Sequence, residues 1–269
     1  MKPKLAVLLL SWLRFEKMLI MIKQLPLTCD EPLHLILRVQ GMEKLTNKDR
    51  AKVHEAASNF ATTDIYFTPY NIGTAAARLD LTHRGAKTGY QYLMFTDDDI
   101  EFSKNGIDKQ VEVLDNNPGV GSVSLRPSHK RFLRAISDEF VILVNHKEIT
   151  DDFCKIYLVG SASIMFRSFL YKDFLIAPDP EYYIGLWDLD FVMQIRESGY
   201  DAVEIPKYTI KNLKGGCERY LSVRRRKEYI KYNKAVSIKK WGFDLAQFYT
   251  GVIRSNKGKV KMPIIKGTR

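Results

Sequence analysis

A chain of 269 residues with 45% hydrophobic and 12% aromatic content can bury one substantial core and is too apolar to be disordered. Its net charge of +11 conceals two unlike parts: residues 1–205 hold 24 basic and 28 acidic side chains, a net of −4, whereas residues 206–269 hold 18 basic and three acidic, a net of +15. Three widely spaced cysteines (Cys29, Cys154, Cys217) and five histidines without metal-ligand spacing exclude a disulfide framework and a zinc site, and they fit a reducing, cytoplasmic compartment.

Lys2 and Lys4 precede the apolar run Leu5–Leu10, but no small-residue cleavage site follows. Arg14, Glu16 and Lys17 break the pattern far short of the ~18 to 20 apolar residues of a membrane span. The run therefore predicts a strand buried on both faces. Met18, Leu19, Met21, Ile22 and Leu25 have helical spacing, Leu33–Val39 reads as a second strand, and Thr46 with Asp49 three residues on opens a helix expected to reach about Phe60. A third strand at Ile65–Phe67, a helix from Thr74 to Lys87 closed by Gly89, and a fourth strand at Tyr92–Phe95 complete a β-α-β-α-β-α-β order. That order predicts a doubly wound α/β fold. Beyond it, Ile107–Leu114 reads as a helix; Gly121–Leu125, Phe140–Asn145, Tyr157–Phe166 and Val203–Ile205 as strands; and Asp190–Ser198 and about Arg219 to Lys240 as helices.

The fourth strand runs into Asp97-Asp98-Asp99. Ligands of open α/β sheets bind at the carboxyl ends of strands, and adjacent carboxylates repel unless a cation neutralises them. In an extended chain Asp97 and Asp99 project to one side. They then share a divalent cation, and oxygen-only ligation suits Mg²⁺ or Mn²⁺. A solvated acidic turn is the other reading of an Asp-x-Asp taken alone. Asp190, near the start of its helix, reads as an N-terminal cap.

Asn71-Ile72-Gly73, Ala75-Ala76-Ala77-Arg78, Gly89-Tyr90 and Asp97-Asp98-Asp99-Ile100 together resemble the Asn-x-Gly, Ala-Arg and Asp-x-Asp run of nucleotide-sugar glycosyltransferases of the GT-A fold, particularly the inverting family-2 type. Ser11-Trp12-Leu13-Arg14 is similar to that family's Thr-Tyr-Asn-Arg after the first strand. Gly160-Ser161-Ala162 with Phe166-Arg167, and then Trp187-Asp188-Leu189-Asp190-Phe191, Arg196, Gly199-Tyr200 and Pro206, resemble its later Gly-x-Ala and Glu-Asp-x-Asp-Leu series. The resemblance covers about residues 4–216 and implies a Rossmann-like GT-A domain over 1–216, with a mixed, mainly parallel sheet flanked by helices. Residues 217–269 follow as a basic, helical extension packed on it.

The resemblance also implies roles. Asp97, Asp99 and Asn212 would hold Mn²⁺ or Mg²⁺; Ser11, Trp12, Arg14, Asn71, Gly73, Arg78, Asp98 and Gly160 would bind a nucleotide-diphosphate sugar; and Asp188 would be the base that deprotonates the acceptor hydroxyl. The chain departs from the family in three places. Arg38-Val39-Gln40-Gly41 replaces the Asp-x-x-Ser that contacts the nucleobase, Trp187 replaces the Glu before the base, and Asn212 replaces a metal-binding His. Trp187 is expected to supply an apolar wall to the acceptor site. The interleaved cations and aromatics of the last helix place Arg224, Arg225 and Tyr229 at an acceptor that is polyanionic: DNA with hydroxymethylated bases, a phosphate-bearing glycan, or an anionic membrane surface. The competing classes are a non-catalytic binding protein on the same fold, which recognises nucleic acid or an anionic surface, and a nucleotidyl transferase.

Overall fold

A computed structural model describes residues 4–41, 45–127, 131–135, 140–145, 154–155, 162–213, 223–248 and 259–261. The first part alternates strand and helix: β1 (Leu5–Trp12), α1 (Phe15–Gln24), β2 (Leu33–Gln40), α2 (Asn47–Ala56), β3 (Thr62–Thr68), α3 (Thr74–Lys87) and β4 (Tyr92–Asp97). Then come β5 (Ile100–Phe102), α4 (Gly106–Asn116), β6 (Val120–Pro127), β7 (Arg131–Ala135), β8 (Phe140–Asn145), β9 (Cys154–Lys155), β10 (Ser163–Arg167) and α5 (Phe169–Phe174). The chain continues through α6 (Trp187–Glu197), β11 (Asp201–Asn212), α7 (Val223–Trp241) and β12 (Lys259–Lys261).

The main sheet has the order β3-β2-β1-β4-β10-β6-β11-β5, with β9 paired to β11. Strands β3, β2, β1 and β4 pair in parallel. Strand β10 runs antiparallel to both β4 and β6, β11 is parallel to β6, and β5 and β9 run against β11. Six of these nine strands thus point the same way, giving the mixed, mainly parallel sheet expected from the alternation. A second, antiparallel sheet of β12, β8 and β7 brings the C-terminal strand back to the middle of the chain.

Burial on both faces explains the unbroken apolar runs. Along β1, Ala6 and Leu8 pack into a core under α3 and α6 with Leu81, Trp187, Phe191 and Ile195, while Leu5, Val7 and Leu9 pack into a second core under α1, α2 and α4 with Met18, Ile22, Val53 and Ile107. The period of two in a strand is what assigns alternate residues to opposite layers.

Several expected boundaries move. Thr46 forms the capping box with Asp49, but α2 ends at Ala56 rather than near Phe60. Strand β3 is longer than Ile65–Phe67, because pairing with every residue from His34 to Gln40 extends it to Thr62–Thr68. Strand β11 runs past Val203–Ile205 to Asn212, with a register shift after Ile205 that accommodates Pro206. The expected strand from Tyr157 is seen as β10 from Ser163; residues 157–161 lie outside the described residues. Helix α6 starts at Trp187, so Asp188 and Asp190 both fall in its first turn. Among the described residues, no helix is long and apolar enough to cross a membrane.

Candidate active site at the carboxyl end of the sheet

The parallel strands β2, β1 and β4 end side by side at Gln40, Trp12 and Asp97, with Trp12 level with Gln40 and Leu10 level with Asp97. The chain does not stay extended beyond Asp97: Asp98 and Asp99 form a two-residue turn into β5. This breaks the strand alternation, so the three carboxylates divide differently from the expected Asp97/Asp99 pair. Asp97 pairs with Arg78, whereas Asp98 and Asp99 share Arg14, whose Nη1 lies 3.2 Å from Asp98 Oδ1.

Asp98, only 2% exposed, accepts a 2.6 Å hydrogen bond from Ser11 Oγ. Burial pushes its carboxyl up to about 7, with Asp97 and Asp99 adding repulsion, against the lowering effects of Arg14 and the Ser11 hydrogen bond. Burial likewise raises Asp99. Ser11 and Asp98, both read as donor-binding, are buried, and through Asp98 they hold Arg14 beneath the turn. The Arg78 side chain is fully buried, with its guanidinium 4.7 Å from the centre of the Trp187 ring and 5.1 Å from that of Phe95. It pairs with Asp97, whose side chain is 34% exposed.

Trp187, read as an acceptor-site wall, is 2% exposed; it packs edge-on against Phe95 at 5.5 Å and covers the buried Arg78 guanidinium. The next residue, Asp188, is half-buried in the first turn of α6, and Leu189 N donates to its Oδ1 at 3.1 Å. Burial raises the Asp188 carboxyl to about 6; Asp97 pushes in the same direction, while the Leu189 amide and Arg78 pull it down. Arg78 is paired with Asp97 and is also stabilised in its charged form by Asp188, the expected base.

The loop before α3 is held by residues the sequence only partly marked. Asn71 Oδ1 accepts from Gly73 N at 2.8 Å and from Gln40 Nε2 at 3.3 Å, and Gln40 Oε1 accepts from Ile72 N at 3.1 Å. Gly73 has φ of +89°, and a Cβ there would lie 2.6 Å from the Tyr183 ring. Gln40 at the end of β2 therefore braces the loop that precedes α3. Trp12 is half-buried at the end of β1, its ring against Gly41.

Asp190 is not a helix cap. Fully buried, it accepts hydrogen bonds from Gln194 Nε2 (2.6 Å), Trp241 Nε1 (2.7 Å) and Lys240 Nζ (3.0 Å), fastening α7 to α6. Asn233 of α7 donates to the carbonyls of Ile184 and Gly185, just ahead of Asp188. The only sequence signal for Asn233 is a polar residue inside a helix; for Lys240 and Trp241 it is the Lys-Trp-Gly motif.

Of the remaining expected residues, Tyr229 stacks on Tyr183 with ring centres 5.0 Å apart. Asn212 stands in register with Ile100, and the following Leu213 N donates to Asp99 O at 2.6 Å; the Asn212 side chain lies outside the described residues. So do Gly160 and the side chains of Arg224 and Arg225. Among the described residues, no group of three or more His, Cys, Asp or Glu is gathered to hold a metal ion. Two carboxylates are nonetheless the usual protein share for a hard cation that takes its other ligands from substrate phosphates. Asp97, partly exposed at the end of β4, and Asp99 fit that share in chemistry.

Comparison of the sequence with protein-family models and with curated proteins gives no match. Solved structures do match. The mannosyltransferase PcManGT from Pyrobaculum calidifontis, in complex with GDP-Man and Mn²⁺, superposes with a TM-score of 0.63 at 14% identity over 95% of this chain and 69% of that one. S. aureus TarS 1–349 in complex with UDP-GlcNAc gives 0.64 at 12% identity over 93% and 72%. GalNAc-T7 with UDP, GalNAc and Mn²⁺ gives 0.61 at 11% identity over 94% of this chain and 51% of that one. The chain therefore has the GT-A fold of nucleotide-sugar glycosyltransferases.

Proposed function

We propose that this protein transfers a sugar from a nucleotide-diphosphate sugar to an acceptor hydroxyl by single displacement with inversion, Asp188 being the base. The observation that carries this reading is the Asp97–Arg78–Asp188 constellation at the carboxyl ends of the parallel strands. A partly exposed carboxylate and a second carboxylate of raised pKa both act on one buried cation, on a fold whose solved relatives hold GDP-Man, UDP-GlcNAc or UDP. Trp12 and the Asn71–Gly73 loop bind the nucleotide at the N-terminal end of α3.

Asp97 and Asp99, with Asn212 beside them, would hold Mn²⁺ or Mg²⁺, which neutralises charge on the departing diphosphate. Asp188 accepts the acceptor's proton as the hydroxyl oxygen bonds to the anomeric carbon and the bond to the diphosphate breaks. A carboxylate raised to about 6 is a stronger base than an ordinary aspartate and is still ionised near neutrality. A purely binding module has no use for such a group opposite the donor carboxylate. With reduced thiols expected throughout, we place the reaction in the cytoplasm.

The test is release of nucleoside diphosphate from a panel of nucleotide sugars, with and without Mn²⁺ and acceptor. Release from at least one donor, abolished by Asp188→Asn in a folded protein, supports the reading. Binding of a nucleotide sugar without any turnover across the panel favours the binding-protein alternative.

A further inference from the structure

The turn that presents Asp188 is held from outside itself. Gly185 has φ of +77° and Leu186 of +61°; the second is a left-handed conformation that a leucine keeps only where surrounding contacts impose it. Leu186 O then accepts from Asp190 N at 2.9 Å, closing the first turn of α6 around Asp188. On one side of this turn the Asn233 amide of α7 donates to the carbonyls of Ile184 and Gly185. On the other stands Tyr183, five residues ahead of Asp188.

Tyr183 spans the loop that precedes α3. Its carbonyl accepts from Thr74 N at 2.8 Å, taking up the first amide of the helix, which has no partner within the helix itself. Its phenol oxygen lies 3.5 Å from Asn71 O, and its ring fills the space beside Gly73, where a Cβ would come within 2.6 Å of it. The same ring stacks on Tyr229 of α7, with centres 5.0 Å apart and 18° between the planes. One residue thus joins the loop before α3, the helix α7 and the turn into α6. Gln40 and Asn71 brace that loop separately, so removing the Tyr183 ring should leave the loop formed while loosening its tie to the turn.

Such a tie matters to a base, because misplacing a reacting group by about 1 Å can cost about 100-fold in rate. We infer that Tyr183 is a positioning residue: by fastening the turn that carries Asp188 to the loop before α3, it sets the base relative to the donor bound there. The inference rests on the glycosyl-transfer reading above and adds to it a residue that acts through Asp188.

The test combines steady-state transfer from the best donor, titration with the corresponding nucleoside diphosphate, and a double-mutant cycle. Tyr183→Ala should lower kcat by about tenfold or more while the nucleoside diphosphate Kd stays within about threefold of wild type, and Tyr183→Phe, which keeps the ring, should restore kcat to within about twofold. In the Asp188→Asn background Tyr183→Ala should lower the residual rate by less than about twofold, because the base through which it acts is gone. Tyr183→Leu, apolar but unable to stack, should behave as Tyr183→Ala and takes its place if that variant is unfolded in a thermal scan. Losses that multiply in the double variant, an unchanged kcat, or a kcat and Kd that worsen together overturn the positioning role and leave the glycosyl-transfer reading standing. Loss of the fold in both variants does the same, since Tyr183 is then a structural residue only. No transfer from any donor by the wild-type protein overturns the reaction itself, and the role of Tyr183 with it.

Discussion

Asp188 is the residue on which the proposed chemistry depends, and its environment makes two measurable predictions. Asp188→Asn removes the proton acceptor while keeping size and the Leu189 contact, so kcat should fall by about 100-fold or more with the thermal midpoint little changed. In the wild type the base works only when ionised. Burial and Asp97 raise it, and Arg78 with the Leu189 amide opposes them; kcat/KM should therefore rise with pH through about 6 and flatten above it. A profile flat down to pH 5 would remove Asp188 from this role. Gly73 gives a prediction of a different kind. Any side chain there meets both a left-handed backbone and the Tyr183 ring, so Gly73→Ala should raise the donor KM and lower stability by about 1 to 2 kcal/mol, read from a urea titration. Asp188 was legible in the sequence because it lies in a motif. The support roles of Ser11 and Asp98 were not, since a buried serine and a cleft serine are the same letter.

At the scale of elements, α6 and α7 act as a pair. Asp190 joins them through two donors of α7, Lys240 and Trp241, and Asn233 holds the turn that delivers Asp188. Asp190→Ala leaves Lys240 and the Trp241 indole without a buried acceptor, so it should cost about 3 kcal/mol in a urea titration. It should also lower kcat more than donor affinity, because the side chains of Gln40 and Asn71 anchor the loop before α3 directly. Equal stability of mutant and wild type would show that the pair is held by apolar contacts alone. The helix itself was readable from its pattern; its partner was not. Helical periodicity marks Val236 and Ser237 as facing inward, but it cannot say that Asp190, read as a cap, is what Lys240 meets.

For the molecule as a whole, the carboxylates at the sheet end and the arginines beneath them predict linked binding of cation and nucleotide. Mn²⁺ alone meets two carboxylates already paired with Arg14 and Arg78, so it should shift the thermal midpoint little. Nucleoside diphosphate with Mn²⁺ should raise it by more than the sum of the separate shifts, as ligand binding to the native state requires when one ligand completes the other's site. Additive shifts in a thermal titration would count against a shared site. The charge asymmetry also acquires a place. The −4 body carries the proposed chemistry, whereas the described lysines Lys227, Lys231 and Lys234 stand on an exposed stripe of α7.

The alternation of apolar strands with amphipathic helices, and the carboxylates that end β4, are local properties of the chain, and by themselves they determined an α/β sheet with a site at its carboxyl edge. A period of two or 3.6 is written into neighbouring residues, so it survives without tertiary context. Only the folded chain decided which carboxylates pair with which arginine, that Trp187 lies inside, and that Gln40 builds a loop. Those outcomes depend on a two-residue turn after β4 and on contacts between Asp97 and Arg78, Ser11 and Asp98, and Asp190 and Lys240. Side chains so far apart in the chain share an environment only once the strands have set their register and the helices have packed upon them.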